Sequence, residues 1–223
     1  GFEGPILPVN PKHNAVAGIL CYPDVKSLPL TPDLAVICTP PQTVPPLIAE
    51  LGARGTKAAI VVTAGFREGG NAAGIALQNA MLEAARPHLL RVVGPNCLGV
   101  ISTPIQMNAS FAPSTPQKGG VAFVAQSGAM VTTVLDWATG RGIGFSHLVS
   151  LGDMSDVDFG DMLDFLANDQ DTAAILLYTE AVTAARKFMS AARAASRVKP
   201  VIAIKAGRQA AAARAAASHT GAL

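Results

Sequence analysis

Apolar runs of four or five residues, unbroken except at Arg91, recur along the chain at 34–38, 58–62, 90–93, 121–124, 174–177 and 201–204. Each is too short for an ordinary helix and long enough for a strand. Between several of them lie helix-length segments with apolar positions three to four apart, at 43–52, 74–86, 131–140, 159–167 and 183–196. Strand then helix, repeated, predicts parallel sheets. Unbroken apolar character, in place of strict alternation, predicts strands buried on both faces. A further run, Pro5-Ile6-Leu7-Pro8-Val9-Asn10-Pro11, is punctuated by prolines and predicts an edge strand. The pairs Pro40-Pro41 and Pro45-Pro46 belong to one strand-to-helix loop, because proline is tolerated at a helix start and disfavoured inside.

The pattern changes character at Ser114-Thr115-Pro116-Gln117-Lys118-Gly119-Gly120, which reads as a linker. The expectation is an α/β chain of two units, residues 1–116 and 117–223, each a parallel sheet wrapped by helices. A single doubly wound sheet is the competing arrangement.

Composition narrows the function classes. With 50% apolar and 14% charged residues over 223 positions, the chain can bury a large core and is not a disordered segment. A formal charge of 17 − 15 = +2 supplies no broad basic field, so a nucleic-acid groove or a polybasic membrane anchor is not expected. A small, locally bound anion is compatible with it. No apolar run reaches the ~18 residues of a spanning helix, and the first residues lack the basic start and apolar core of a signal peptide. The expected location is cytoplasmic. Cys21, Cys38 and Cys97 are odd in number and lack paired ligand spacing, so neither a disulfide framework nor a metal site is expected. Both ends, Gly1-Phe2-Glu3-Gly4 and Ser218-His219-Thr220-Gly221-Ala222-Leu223, read as cut from a longer polypeptide.

Four constellations carry chemistry. In Val124-Ala125-Gln126-Ser127-Gly128-Ala129-Met130 an apolar strand breaks and a helix opens, so backbone amides beside a hydroxyl and a bare glycine can hold phosphate or carboxylate. The plainer reading makes Ser127 a helix cap worth ~1 kcal/mol. His219 sits among small residues, Ala217-Ser218-His219-Thr220-Gly221, where an imidazole can act as base, metal ligand or phosphate-accepting nucleophile. A metal is disfavoured because no second His or Cys stands at ligand spacing. Glu180 follows the run 174–177, and in parallel sheets the carboxyl ends of strands face the ligand crevice. There it could orient a histidine ring, or simply favour a helix N-terminus. The last constellation, Gly94-Pro95-Asn96-Cys97-Leu98-Gly99, is bare backbone that admits a ligand close to the chain. No His or Asn is placed by sequence to activate Cys97, so the motif reads as ligand contact and not catalysis.

Taken in order, Gly94-Pro95-Asn96-Cys97-Leu98-Gly99, Gln126-Ser127-Gly128, Glu180, the stretch from Pro200 through Lys205 to Arg208, and Ser218-His219-Thr220-Gly221-Ala222-Leu223 resemble NDP-forming acyl-CoA synthetases, relatives of the succinyl-CoA synthetase alpha subunit. The resemblance covers essentially the whole chain. It implies a Rossmann-like CoA-binding domain over 1–116 followed by a flavodoxin-like domain over 117–223. It implies a reversible reaction in which acyl-CoA, phosphate and NDP give carboxylate, CoA and NTP through acyl phosphate and phosphohistidine. His219 would be phosphorylated and Glu180 would orient its ring. Ser127 and Gly128 would hold the transferring phosphoryl group. Lys12 would meet the CoA phosphates, and the loops carrying Thr39, Pro40, Thr63, Ala64, Gly65, Asn96 and Cys97 would line the CoA channel.

Two departures from the family pattern stand out. Its first strand and Gly-rich CoA-binding turn have no counterpart here, which should weaken CoA binding. Its ATP-grasp portion, which binds ATP/ADP and Mg on a separate subunit or a fused domain, has none either, so these residues alone should not complete the cycle. The implied partners are CoA, a small carboxylic acid and that ATP-grasp portion, with assembly as an oligomer left open. The opening residues and the loop Thr39-Pro40-Pro41 also resemble the synthetase-like half of bifunctional protein lysine acetyltransferases, a CoA-sensing regulatory module. The presence of both His219 and Glu180 favours the ligase reading, since a regulatory module needs no phosphorylatable histidine. A plain dinucleotide-binding domain is not supported, because no Gly-x-Gly-x-x-Gly follows a strand.

Overall fold

A computed structural model describes residues 1–207 of the chain. It begins with an exposed two-residue hairpin, β1 (Ala15–Val16) and β2 (Ile19–Leu20), turned by Ala17 and Gly18, both at positive φ. Two central residues at positive φ suit the right-handed strand twist. The edge strand expected at 5–11 does not form. Val9 makes only an isolated bridge to Tyr22, because Pro5, Pro8 and Pro11 lack the amides a ladder needs.

Next comes β3 (Leu34–Ile37), α1 (Val44–Arg54), β4 (Ala58–Val61), α2 (Ala72–Ala85) and β5 (Arg91–Val93), a parallel sheet in the order β3-β4-β5. Pro45 and Pro46 open α1 where their missing amides cost nothing. Gly55, at φ 100, closes it in the left-handed conformation. Val44, Ile48 and Leu51 of α1 and Met81 and Ala85 of α2 pack onto Ala59, Val61 and Val92 of the sheet.

The second sheet has six strands. They are β6 (Gly99–Ser102), β7 (Met107–Ser110), β8 (Lys118–Ala125), β9 (Phe145–Ser150), β10 (Ala174–Thr179) and β11 (Val201–Lys205). Helices α3 (Gly128–Thr139), α4 (Phe159–Asn168) and α5 (Ala185–Ala195) alternate with the last four. The spatial order is β11-β10-β8-β9-β6-β7. Counting only the parallel strands, β8 first, this is 2-1-3-4, the flavodoxin-like order, whose direction reverses between β8 and β10. Along β8, Ala122 and Val124 face α4 and α5, while Phe123 and Ala125 face α3. Both faces of the strand are therefore apolar, as its unbroken pattern implies.

Three features go beyond the expected layout. The second sheet is mixed, because β6 and β7 form an antiparallel hairpin paired to β9. Strand pairing passes from the first sheet to the second between Val93 and Gly99, ahead of residue 116. Residues 114–120 are not all linker either: Gly119 and Gly120 lie inside β8, where the ladder shifts register. A Cβ on Gly119 would come within 2.6 Å of the Gly144 Cα, so these glycines serve close backbone approach.

The two sheets are joined by polar contacts. The segment 153–157 runs against 92–95, with Asp153, Ser155 and Val157 amides donating to the carbonyls of Pro95, Gly94 and Val92. Asp156 accepts from Arg91 Nε at 2.9 Å and from the Val92 amide at 2.8 Å. Among the described residues no helix is long and apolar enough to cross a membrane.

Candidate functional site at the carboxyl edge of the two sheets

The reversal of strand order between β8 and β10 opens a crevice at their carboxyl ends. Ser127 caps α3 from an extended conformation, its Oγ accepting the Met130 amide at 3.4 Å. The Val131 amide is taken by the Ser127 carbonyl. The amides of Gly128 and Ala129 come too early in the helix to find an acceptor within it. An anion there would meet two backbone donors and the positive end of a three-turn helix. A Cβ on Gly128 would lie 3.1 Å from Leu98 Cβ, so the helix start is packed tightly against the loop that follows β5.

Glu180 stands across the switch point, one residue beyond β10. Gln126 holds it there: its buried side-chain oxygen accepts the amides of Glu180 and Ala181, each at 2.7 Å. Lys205 Nζ donates to the Glu180 carbonyl at 2.6 Å. The carboxylate atom Oε2 of Glu180 is buried with no hydrogen-bond partner among the described residues. His219 lies outside the described residues, as does Arg208.

The first sheet brings its own carboxyl-end loops to a common edge. Thr63 Oγ1 donates to the Thr39 carbonyl at 2.7 Å, and the Asn96 amide donates to the Thr63 carbonyl at 2.9 Å. Gly65, at φ 104, packs on Pro41, and its amide donates to Glu68. Thr39, Pro40, Ala64 and Gly65 are exposed, leaving bare backbone and hydroxyls along this edge. Lys12 is exposed too. Its amide is tied to Asn10 Oδ1, and no recorded contact links it to the loops of Thr39, Thr63 or Asn96.

The loop 94–99 connects the two edges. It contains a cis Gly94-Pro95 bond and positive φ at Gly94, Asn96 and Gly99. A Cβ on Gly94 would sit 2.5 Å from the Val61 carbonyl oxygen. The Leu98 amide donates to Ser150 Oγ at 3.0 Å, which fastens the loop to the carboxyl end of β9. Cys97 is turned inward, its thiol 3.3 Å from the Val61 carbonyl, and burial pushes its pKa up to about 12. A thiol so placed is neutral and unreactive at physiological pH. Any ligand contact at this residue runs through the backbone.

One acidic residue at this junction is absent from the sequence reading. Asp153 follows Gly152 at the end of β9, accepts from Asn96 Nδ2 at 3.3 Å and has Oδ2 buried without a partner among the described residues. Burial raises its pKa to about 7, the Asn96 amide opposes that rise, and the Glu68 carboxylate beside it adds to it. A strand end followed by Gly-Asp was the available signal. It was hidden because β9 reads Phe-Ser-His-Leu-Val-Ser, with polar residues where an apolar run was sought.

Comparison with known proteins sets this geometry in context. Residues 3–103 match a CoA binding domain family and residues 118–223 a succinyl-CoA ligase like flavodoxin domain family. Over all of this chain there is 44% identity to acetate–CoA ligase (ADP-forming) I of Archaeoglobus fulgidus, of which 32% is covered. Over 99% of the chain there is 40% identity to the alpha subunit of acetate–CoA ligase (ADP-forming) II of Pyrococcus furiosus, of which 48% is covered. The chain thus spans about a third to a half of the length of the curated relatives it matches. Among solved structures, the dinucleotide forming acetyl-coenzyme A synthetase 1 of Candidatus Korarchaeum cryptofilum, in complex with phosphate and ADP, superposes with a TM-score of 0.93 at 39% identity, covering all of this chain and 48% of that one.

Proposed function

Since this chain belongs to the NDP-forming acyl-CoA synthetase family related to the succinyl-CoA synthetase alpha subunit, we propose that it is the CoA-binding and phosphohistidine portion of such an enzyme, divided near residue 116 into its two family domains. The full protein interconverts acyl-CoA, phosphate and NDP with carboxylate, CoA and NTP. The observation that carries the reading is the convergence at one edge. The loops of Thr39, Thr63 and Asn96 end there, and Leu98 packs directly on the helix start at Gly128. A thioester delivered along the first sheet's loops therefore meets a phosphate held at α3.

In the first step phosphate attacks the thioester carbonyl, the C–S bond breaks, and CoA leaves as its thiolate. The amides of Gly128 and Ala129, with the Ser127 hydroxyl alongside, offset the negative charge on the phosphoryl oxygens. In the second, one ring nitrogen of His219 attacks phosphorus, the P–O bond to the acyl oxygen breaks, and the carboxylate departs with the electron pair. Glu180, whose Oε2 is buried without a partner among the described residues, holds the proton on the other ring nitrogen and stabilises the charge that forms there. Transfer from phosphohistidine to NDP uses an ATP-grasp portion, with ATP/ADP and Mg, that is not in these residues. Coenzyme A lies along Thr39, Pro40, Thr63, Ala64, Gly65, Asn96 and the Cys97 backbone, with Lys12 reaching toward its phosphates.

The test uses the full-length protein with its nucleotide-binding portion, CoA, acetate and γ-labelled ATP. Acid-labile, base-stable label on the protein is expected, and His219→Ala should abolish it. Absence of label, or label that survives that substitution, sinks the reading.

A further inference from the structure

The residue that joins the two halves of the proposed phosphoryl-transfer site is Gln126. It has three ties to its surroundings. Its amide donates to the Tyr178 carbonyl, its carbonyl accepts from the Gly152 amide, and its side-chain oxygen accepts both the Glu180 and Ala181 amides. It thus bonds to the carboxyl ends of β9 and β10 while preceding the α3 cap by one residue. Among the described residues, one other side chain bonds the turn that carries Glu180. The helix after it, α5, has no side-chain cap at Ala184, and the other anchor is the exposed ammonium of Lys205.

We infer that Gln126 is a positioning residue, setting the Glu180 carboxylate against the phosphate-holding end of α3 through the paired 180–181 amides. The inference rests on the role given to Glu180 above. Its physical basis is an unusual one for a glutamine. A single neutral oxygen with two lone pairs satisfies two consecutive half-buried donors, which orients the peptide planes on either side of the Glu180 Cα. A leucine of similar volume keeps the packing and removes both acceptors. The turn is then free to find other partners, and displacement of a catalytic group by about 1 Å is enough to slow a reaction on the order of 100-fold.

Three variants of the full-length enzyme test this: Gln126→Leu, Gln126→Glu and Glu180→Gln. Two half-reactions are read separately. Acyl-CoA arsenolysis, followed by CoA release, reports the thioester step and does not use His219 or Glu180. Phosphorylation of the protein by acetyl phosphate reports the histidine step. Gln126→Leu is expected to slow phosphorylation about 100-fold, in step with Glu180→Gln, while arsenolysis changes by no more than a few-fold. Gln126→Glu keeps an oxygen that accepts both amides, so phosphorylation should recover to within about tenfold of wild type. A merely structural glutamine would slow both half-reactions together.

The outcomes separate cleanly. Wild-type phosphorylation in Glu180→Gln overturns the role of Glu180 itself. Slow Glu180→Gln beside fast Gln126→Leu overturns only the positioning role. If the leucine variant does not fold, Gln126→Glu decides: phosphorylation slowed as much as in Glu180→Gln overturns the inference.

Discussion

Substituting Gly152 by alanine should damage the junction of the two sheets far more than its small size suggests. Gly152 sits at φ 56, and a Cβ there would press on the carbonyl oxygens of Pro95 and Asn96 and lie 2.7 Å from the Asn96 carbonyl carbon. All three are backbone atoms, which cannot swing aside as a side-chain tip can. The left-handed conformation alone costs a non-glycine residue ~1 kcal/mol. Relieving the clash separates 152–155 from 94–96 and strains three hydrogen bonds: Asp153 amide to Pro95, Ser155 amide to Gly94, and Asn96 Nδ2 to Asp153. At ~1 kcal/mol each these bring the total to ~4 kcal/mol. Gly142 supplies the control. It has φ +66 and nothing within 4 Å of an added Cβ. Gly142→Ala therefore carries the conformational cost without the clash, ~1 kcal/mol. For a chain of this size the two differ by roughly 6–12 °C in melting temperature, at ~2–4 °C per kcal/mol. Differential scanning calorimetry of both variants measures the gap. Equal melting temperatures would show that the junction yields freely, and the argument for a rigid shared edge would fail.

Two further predictions concern titrating and buried polar groups. Asp153 has its pKa raised to about 7 by burial, with the Glu68 carboxylate adding to the rise. The folded state therefore binds its proton more tightly than the unfolded chain does, and stability falls as pH rises from about 4 to about 7, then levels off. Asp153→Asn should remove that slope and raise stability at pH 8 by about 1–2 kcal/mol after allowance for partial solvent exposure; parallel urea melts at pH 5 and pH 8 would refute this if wild type and variant share the same pH dependence. At the opposite edge of the sheet, Thr172 links Ser146 to Asp169, which also meets His147 Nε2 at 3.1 Å. Burial works to raise Asp169, but hydrogen bonds from Thr172 and His147 outweigh it and hold the carboxyl below its usual range. Thr172→Val should cost about 2 kcal/mol at pH 7, because it leaves a buried hydroxyl and a carboxylate short of a partner, and the loss should shrink as pH falls and Asp169 protonates; a denaturant melt unchanged at pH 7 would rule out the network.

All six apolar runs became strands, and in β4 and β8 burial on both faces leaves its mark on the sequence locally, while β11 keeps Ile202 and Ile204 exposed. β9 left no such mark. Ser146, His147 and Ser150 are buried in the middle of the second sheet, yet each is satisfied by a partner far along the chain: Thr172, Asp169 and the Leu98 amide. A polar residue with a distant partner looks the same in sequence as one facing water. The hairpin β6–β7 escaped for a related reason, since its strand β6 pairs with a strand that was itself unread.

The site divides along the same line. The helix start at Ser127-Gly128 and the strand end before Glu180 were legible because a strand passing into a helix is a local event. Gln126, Gly152 and Asp153 do their work through contacts 54 to 57 residues away. Those contacts exist only once the parallel strands are laid side by side in the 2-1-3-4 order. Cys97 shows the converse. Its motif reads as ligand contact, and the turn of the backbone at Asn96, φ 56, sends the side chain inward to the Val61 carbonyl, a placement the sequence alone did not show. Residues whose role comes from their own backbone conformation and immediate neighbours can thus be read from sequence. Residues whose role is to hold another residue in place require the topology, and at this crevice the second kind decides whether the first kind meet.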